Sequence, residues 1–343
     1  MNLNALKSKP LHHIAFLTGV PSTGTKSHIT DQLHGSIHKP RLPSGKSRIL
    51  SVDMGIRNLA YCVIDVPTSL HKTGTSLHVH SWKRLDLLEK MRPNMDTSQV
   101  EGPDQSTDNG RGDSKAVANA IVKNSFTPSV MSRVALQVAQ DFLRYKPDII
   151  LIERQRFRSG GGSAIQEWTV RVNTLESMLW ACFETMKSVK GDRKAGDFPT
   201  VYEVAPKKVA SFWTAPSDAH LPAANLLTPE YSPPDVKITT IKAKAAGAGK
   251  KEKIAVLRSW LEGTGGVSLD FSPETKMTAA AFSTGPKRRK TKASESDTTE
   301  EVVAARETKL DDLADCVLQG AAWVRWEENR RSILKALMEQ MIP

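Results

Sequence analysis

Cysteine is scarce in this 343-residue chain: Cys62, Cys182 and Cys316 stand far apart, and none belongs to a C-x-x-C pair. That spacing argues against a disulfide framework and a cysteine-based zinc site, and it suits a reducing compartment. Long apolar runs are missing too. No stretch approaches the ~18 residues a membrane-spanning helix needs, so no membrane partner is expected. Apolar residues make up only 39% of the chain, which implies that part of it does not pack. There is no internal repeat. Eight of the nine histidines precede residue 81; they lack cysteine or acidic neighbours at ligand spacing and are read as solvated.

What is abundant is positive charge. Forty-eight Lys and Arg against 37 Asp and Glu give a net charge of +11 and a pI near 9.5. Such a balance favours a polyanionic partner, nucleic acid ahead of an acidic membrane surface. The length accommodates one large domain plus an appendage. Two polar stretches, about residues 92–129 and 263–308, are expected to be disordered insertions. The second contains "PKRRKTK" at 286–292, which resembles a nuclear localisation signal and is read in preference as a nonspecific phosphate contact.

Between these stretches the pattern is that of alternating strands and helices. Ile49, Leu50 and Val52 lead to Asp53, and a second apolar run, 59–66, begins after "GIRN". This is a β-hairpin pattern with Gly55 and Asn58 in the turn. A third strand is expected near 76–85, an amphipathic helix near 130–145, and a strand at "DIILIE". A long helix near 164–187, a strand at 200–205, and helices near 251–261 and 309–326 follow, with a helical tail at 331–343. The order is that of an RNase H-like α/β domain, a mixed sheet flanked by helices.

Three segments carry carboxylates at element ends. Asp53 closes an apolar strand and is followed at once by Met54 and Gly55. It is open to three readings: a turn cap, a metal ligand of an RNase H-like nuclease, or the first phosphate loop of an actin- or sugar-kinase-like ATPase. Glu153 ends the run Ile149, Ile150, Leu151 and Ile152 in the same way, with Arg154, Arg156 and Arg158 at alternate positions after it. Those arginines are either a salt-bridge cluster or a phosphate-gripping lip beside a metal ligand. In "KLDDLADCVLQGAAW", Asp311, Asp312 and Asp315 fall within about 100° of one another on a helix, where acidic residues also suit the dipole of a first turn. Left alone, three such groups of carboxylates repel one another and raise their own pKa values. Two Mg²⁺ ions about 3.5–4 Å apart remove that penalty and support phosphodiester chemistry. An ATPase needs a second phosphate loop and a glycine-rich adenosine motif in a duplicated domain; neither is present, so no nucleotide cofactor is expected.

"SVDMGIRNLAYCVID", "LIERQRFRSGG" and "KLDDLADCVLQGAAW" together resemble the signature blocks of the fungal mitochondrial Holliday junction resolvases, cruciform-cutting relatives of bacterial RuvC on an RNase H-like fold. The resemblance covers about residues 47–92 and 128–330 of a catalytic domain spanning 47–330. It implies an acidic tetrad at Asp53, Glu153, Asp312 and Asp315, with Asp311 a rival to Asp312. It further implies Mg²⁺ or Mn²⁺, two ions per site, a mitochondrial location, and a homodimer that nicks four-way DNA junctions in pairs. The departures are the two insertions, which obscure the dimer surface. A helix carrying Trp168, Leu175, Leu179 and Phe183 is a candidate dimer element, although burial against the sheet competes. A DNA-binding protein without catalysis is the rival function; it has no use for so many carboxylates.

Residues 1–40 are similar to the SAP helix-extended loop-helix DNA-binding module. Leu3, Leu6, Leu11, Ile14, Leu17, Ile29 and Leu33 would form a miniature core, with Thr25 and Lys26 offering phosphate contacts. Residues 1–48 hold seven Lys or Arg and a single acid, Asp31, a composition that also suits a transit peptide. A second basic stretch, 237–258, includes Lys250 and Lys251 and is read either as part of the junction-binding face or as a solvated edge.

Overall fold

The computed structural model describes residues 3–339 except residues 40, 44, 68–74, 92–125, 156–165, 191–197, 228–248 and 284–297. Six strands form one mixed sheet. They are β1 (Ser47–Asp53), β2 (Leu59–Val66), β3 (Thr75–Leu85), β4 (Ile149–Glu153), β5 (Thr200–Val204) and β6 (Val267–Phe271), in the order β5-β4-β1-β2-β3-β6. The β1–β2–β3 meander is antiparallel, whereas β4 joins β1, β5 joins β4 and β6 joins β3 in parallel. This is the RNase H-like arrangement with a sixth strand at one edge.

Helices α1 (Ser8–Leu17) and α2 (Lys26–Ile37) precede the sheet, and α3 (Leu87–Met91) follows the meander. Next come α4 (Pro128–Leu143), α5 (Glu167–Lys190), α6 (Pro206–Trp213), α7 (Lys250–Leu261), α8 (Pro273–Ser283) and α9 (Thr298–Glu339). Because side chains alternate across a strand, the sheet has two separate buried faces. Leu50, Val52, Ile150 and Ile152 pack with α4 and α5, including Phe142, Leu175, Leu179 and Phe183. Ile49, Ile149 and Leu151 point the other way, into a core shared with α9, α7, α6 and the N-terminal helices. Leu175, Leu179 and Phe183 are thus committed to the interior, while Trp168 is 40% exposed.

Helix α9 is the central support of the second face. Its Gln319 Nε2 donates to Ser51 Oγ at 3.0 Å and Val52 O at 3.2 Å, and Trp82 Nε1 of β3 donates to Leu313 O at 2.9 Å. Gly320 makes the close approach possible: a β-carbon there would lie 2.6 Å from Ile64 Cδ1.

Four sequence expectations need correction. Residues 267–271 and 273–283, assigned to a disordered insertion, form β6 and α8; β6 gains its ladder from β3, a pairing that a five-residue segment does not announce. The expected helix at 309–326 and the described part of the expected tail, 331–339, belong to one continuous helix, Thr298–Glu339, which begins inside the second expected insertion; residues 340–343 lie outside the described residues. His13, expected to be solvated, is 1% exposed and bonds Ala219 O through Nε2 at 2.7 Å. Finally, Leu3, Leu6, Leu11, Ile14, Leu17, Ile29 and Leu33 are buried, but in the same core as the sheet and α9 instead of a miniature one. Polar bonds fasten the N-terminal helices as well: Asn329 Nδ2 donates to Leu17 O, Arg330 Nη1 to Thr18 O and Lys208 Nζ to Gly19 O. Residues 92–125 and 286–292 lie outside the described residues.

Candidate active site

Strand parity places two carboxylates side by side. Val52 pairs with Ile152 in the parallel β1–β4 ladder, so Asp53 and Glu153 are the next residues at neighbouring strand tips. Both have the parity of Ile49 and Ile149, which face the α9 side. Burial raises the Asp53 carboxyl well above the usual range, and Glu153 adds to this through its charge and a hydrogen bond; Asp315 and Asp312 contribute further.

The α9 aspartates divide into two environments. Asp311 is buried, 3.2 Å from Lys250 Nζ and 3.3 Å from Lys253 Nζ. Asp312 is pushed up to about 6 by burial and by the neighbouring Asp311 charge, and its buried Oδ2 has no hydrogen-bond partner. Asp315 is pushed up to about 7, again chiefly by burial, although its ion pair with Lys253 opposes the rise. Of the three, Asp315 and Asp312 act on Asp53, whereas Asp311 is held by lysines.

Among the described residues, no three His, Cys, Asp or Glu side chains converge as a ready-made ligand shell. The Lys253 ammonium is instead lodged against Asp315 and Asp311. Burial disfavours its charge, but the two carboxylates outweigh that and raise its pKa. A cleft of about 150 Å³ opens here, lined by Glu153, Asp315, Lys253, Gln319 and Lys207 among others. Lys253, Lys207 and Gln319 were not singled out by sequence. Lys253 lies in the basic stretch that drew attention to Lys250 and Lys251, three residues from the former, the spacing of neighbours on one helix face.

The remaining sequence candidates are dispersed. Arg154 pairs on the surface with Glu203 at 3.2 Å, a partner that the sequence did not single out, and Arg156 and Arg158 lie outside the described residues. Lys250 and Lys251 open α7, with Lys251 exposed. Thr25 caps α2 by accepting from His28 N, and Lys26 is its exposed first residue. The N-terminal helices meet α9 near Arg330, fifteen residues and thus about 22 Å of helix rise beyond Asp315.

Comparison with known proteins places this geometry in a family. Residues 49–333 match the model described as mitochondrial resolvase Ydc2 / RNA splicing MRS1. A Schizosaccharomyces pombe protein named mitochondrial cruciform cutting endonuclease 1 is 25% identical, the match covering 96% of this chain and 97% of that one. Its Saccharomyces cerevisiae namesake is 23% identical over 96% of this chain and 85% of its own. The crystal structure of the yeast mitochondrial Holliday junction resolvase Ydc2 shares the fold, with a TM-score of 0.55, 24% identity and coverage of 96% and 99%. By a match that runs from β1 almost to the end of α9, the chain belongs to the mitochondrial resolvase Ydc2 / RNA splicing MRS1 family.

Proposed function

We propose that this protein is a mitochondrial endonuclease that resolves four-way DNA junctions by paired hydrolytic nicks, leaving 5′-phosphate and 3′-hydroxyl ends. The observation that carries the reading is that Asp53 and Glu153 end neighbouring strands beside the α9 face, with Glu153 and Asp315 lining one cleft; the charges of Glu153, Asp315 and Asp312 all act on Asp53. Near full-length similarity to proteins named mitochondrial cruciform cutting endonucleases supports both the activity and the compartment. Nuclear entry through residues 286–292 is a separate proposal with no structural support.

The donor set fits a divalent metal. Carboxylates predominate, one buried Asp312 oxygen lacks a partner, and a lysine cation already lies among the others. Hard cations such as Mg²⁺ or Mn²⁺ prefer such oxygen ligands. Two bound ions would supply Lewis-acid activation of water and charge stabilisation of the departing 3′ oxygen. The chain's own contribution is positional. Asp53, on which Glu153, Asp315 and Asp312 all act, is the natural shared ligand. Gln319, one helical turn beyond Asp315, anchors α9 to β1 and sets the height of Asp315 above the strand tips. Asp312 rather than Asp311 is assigned to the tetrad, because Asp312 and Asp315 act on Asp53 whereas Asp311 does not. Arg154, Lys250, Lys251 and, farther off, Thr25 and Lys26 are the proposed phosphate contacts.

Two strands of like polarity must be cut, which a single site achieves as half of a two-fold dimer. Light scattering should therefore give a mass near twice 37.7 kDa. The family description also names RNA splicing, so binding without cleavage is the second reading. Incubating the purified protein with a mobile four-way junction and Mg²⁺ decides between them. Symmetric paired nicks that stop in EDTA support the nuclease, while stable binding with intact strands supports the alternative.

A further inference from the structure

Strand β5 delivers a lysine to the carboxylate cleft. Glu153 pairs with Val204 in the parallel β4–β5 ladder, so the chain leaving β5 passes the strand tip that carries Glu153 and turns at once into α6, with Pro206 at its first position. Pro206 and Lys207 both line the cleft together with Glu153 and Asp315. Other residues hold α6 in place. Trp213 Nε1 donates to Leu318 O of α9 at 2.8 Å, Phe212 is buried, and Lys208 Nζ donates to Gly19 O at 3.0 Å. Successive helix residues project about 100° apart, so the two lysines serve different surfaces. Lys208 fastens the N-terminal segment, while Lys207 is exposed at the cleft.

The cations around the carboxylates are not equivalent. Lys253 is ion-paired with Asp315 and Asp311, and Lys250 lies 3.2 Å from Asp311. Arg154 pairs with Glu203, and Arg84 donates to Asn58 Oδ1 at 3.2 Å. Lys207 makes no ion pair among the described residues. A DNA strand laid across the tips of β1 and β4 brings several phosphates, of which only the one being cut meets bound metal. Its neighbours approach the same carboxylates without an ion between them, and a positive charge beside the cleft offsets that repulsion. Lysine suits the task, as a compact point charge on a flexible stem. Arg154 and Lys250 must leave a carboxylate before they meet DNA; Lys207 has none to leave among the described residues. Its backbone is fixed by the packing of α6, which confines its reach to one side of the cleft.

We propose that Lys207 is a substrate-binding residue whose ammonium contacts one backbone phosphate adjacent to the scissile one, on the α6 side of the cleft. The proposal rests on the cleft being the place where the strand is cut, so its test measures binding apart from cutting.

Junction affinity is measured in Ca²⁺ over a range of salt for the full-length wild type, Lys207→Gln and Lys207→Arg, with a neutral methylphosphonate placed singly at each phosphate around the crossover; the cut position is mapped separately in Mg²⁺. Lys207→Gln should melt as the wild type does and bind about tenfold more weakly, the scale of one hydrogen bond to a charged group. Its slope of log K against log salt should fall by about 0.9, and Lys207→Arg should restore both. The contact is made before and during the reaction, so single-turnover cleavage at saturation should change by less than about threefold. One methylphosphonate, next to the cut, should weaken the wild type as much as the substitution does and weaken Lys207→Gln no further. A wild type that binds junctions without cutting them would sink the nuclease reading, and the phosphate scan in Ca²⁺ would still show whether Lys207 holds one phosphate. Wild-type affinity in Lys207→Gln, a loss spread evenly over every neutralised phosphate, or a partner phosphate remote from the cut would overturn the proposal.

Discussion

Lys253 and Asp315 are ion-paired across the contact between α7 and α9, and the same ammonium lies 3.3 Å from Asp311 Oδ1. A lysine in that position holds the helix aspartates against their mutual repulsion when no ion is bound, and competes with any ion that arrives. Lys253→Met should therefore destabilise the protein in EDTA by about 1–3 kcal/mol, the cost of leaving buried polar groups unpaired, and tighten its binding of Mn²⁺. Melting curves in EDTA and a Mn²⁺ titration by calorimetry check both. Unchanged stability and unchanged affinity together would mean that the pair is incidental.

Asp53→Asn and Asp315→Asn remove a proposed ligand and a negative charge that faces DNA. Cleavage should fall by at least about 100-fold, the scale of losing one group that stabilises a transition state, while junction binding stays level or tightens. Asp311→Asn should retain far more activity than Asp312→Asn. Equal losses from the two would remove the reason for assigning Asp312 to the tetrad.

Gly320 offers a test of how α9 is seated. Alanine there meets the movable Cδ1 of Ile64 and gains helix propensity, so the net change should stay within about 1 kcal/mol. Leucine has no such escape and should cost about 1–3 kcal/mol through overpacking, while lowering cleavage by lifting Asp315 from the strand tips. Denaturant melts with parallel cleavage assays separate the two effects.

His220 makes stability depend on pH. Burial, with the Arg325 charge adding to it, lowers this imidazole to about 4, and Phe16, Phe212 and Trp213 surround its ring. A lowered histidine favours the neutral form in the folded state. Its contribution is thus fully present above the unfolded value near 6.5 and is lost as pH falls toward 4, to on the order of 3 kcal/mol in full. Melting temperature should drop across that window, and less steeply in His220→Phe. Identical slopes in the two proteins would exclude His220 as the source.

The N-terminal helices share the main core, so deleting them would expose apolar α9 surface and confuse folding with DNA binding. Lys26→Gln avoids this because Lys26 is exposed. If Lys26 meets a phosphate, the slope of log K against log salt for junction binding should fall by about 0.9. An unaltered slope would place the DNA elsewhere.

The sequence by itself determined the strand tips and their chemistry. Asp53 and Glu153 each end an apolar run long enough to be a buried strand, and strand alternation sends both toward the side that holds Ile49 and Ile149. The spacing of Asp311, Asp312 and Asp315 likewise sets them on one arc of a helix, because these are local periodicities that two or three turns of chain express without help. Only the tertiary structure decided what those groups meet. The parallel pairing of Val52 with Ile152 joins residues a hundred positions apart, and no local pattern encodes a register across that distance. The division of labour between Asp311 and Asp312 depends on lysines arriving from α7, and the placement of β6 depends on the free edge of β3. The N-terminal helices follow the same rule: their apolar spacing shows that they bury a face, but the surface that receives it belongs to α9, some three hundred residues away along the chain.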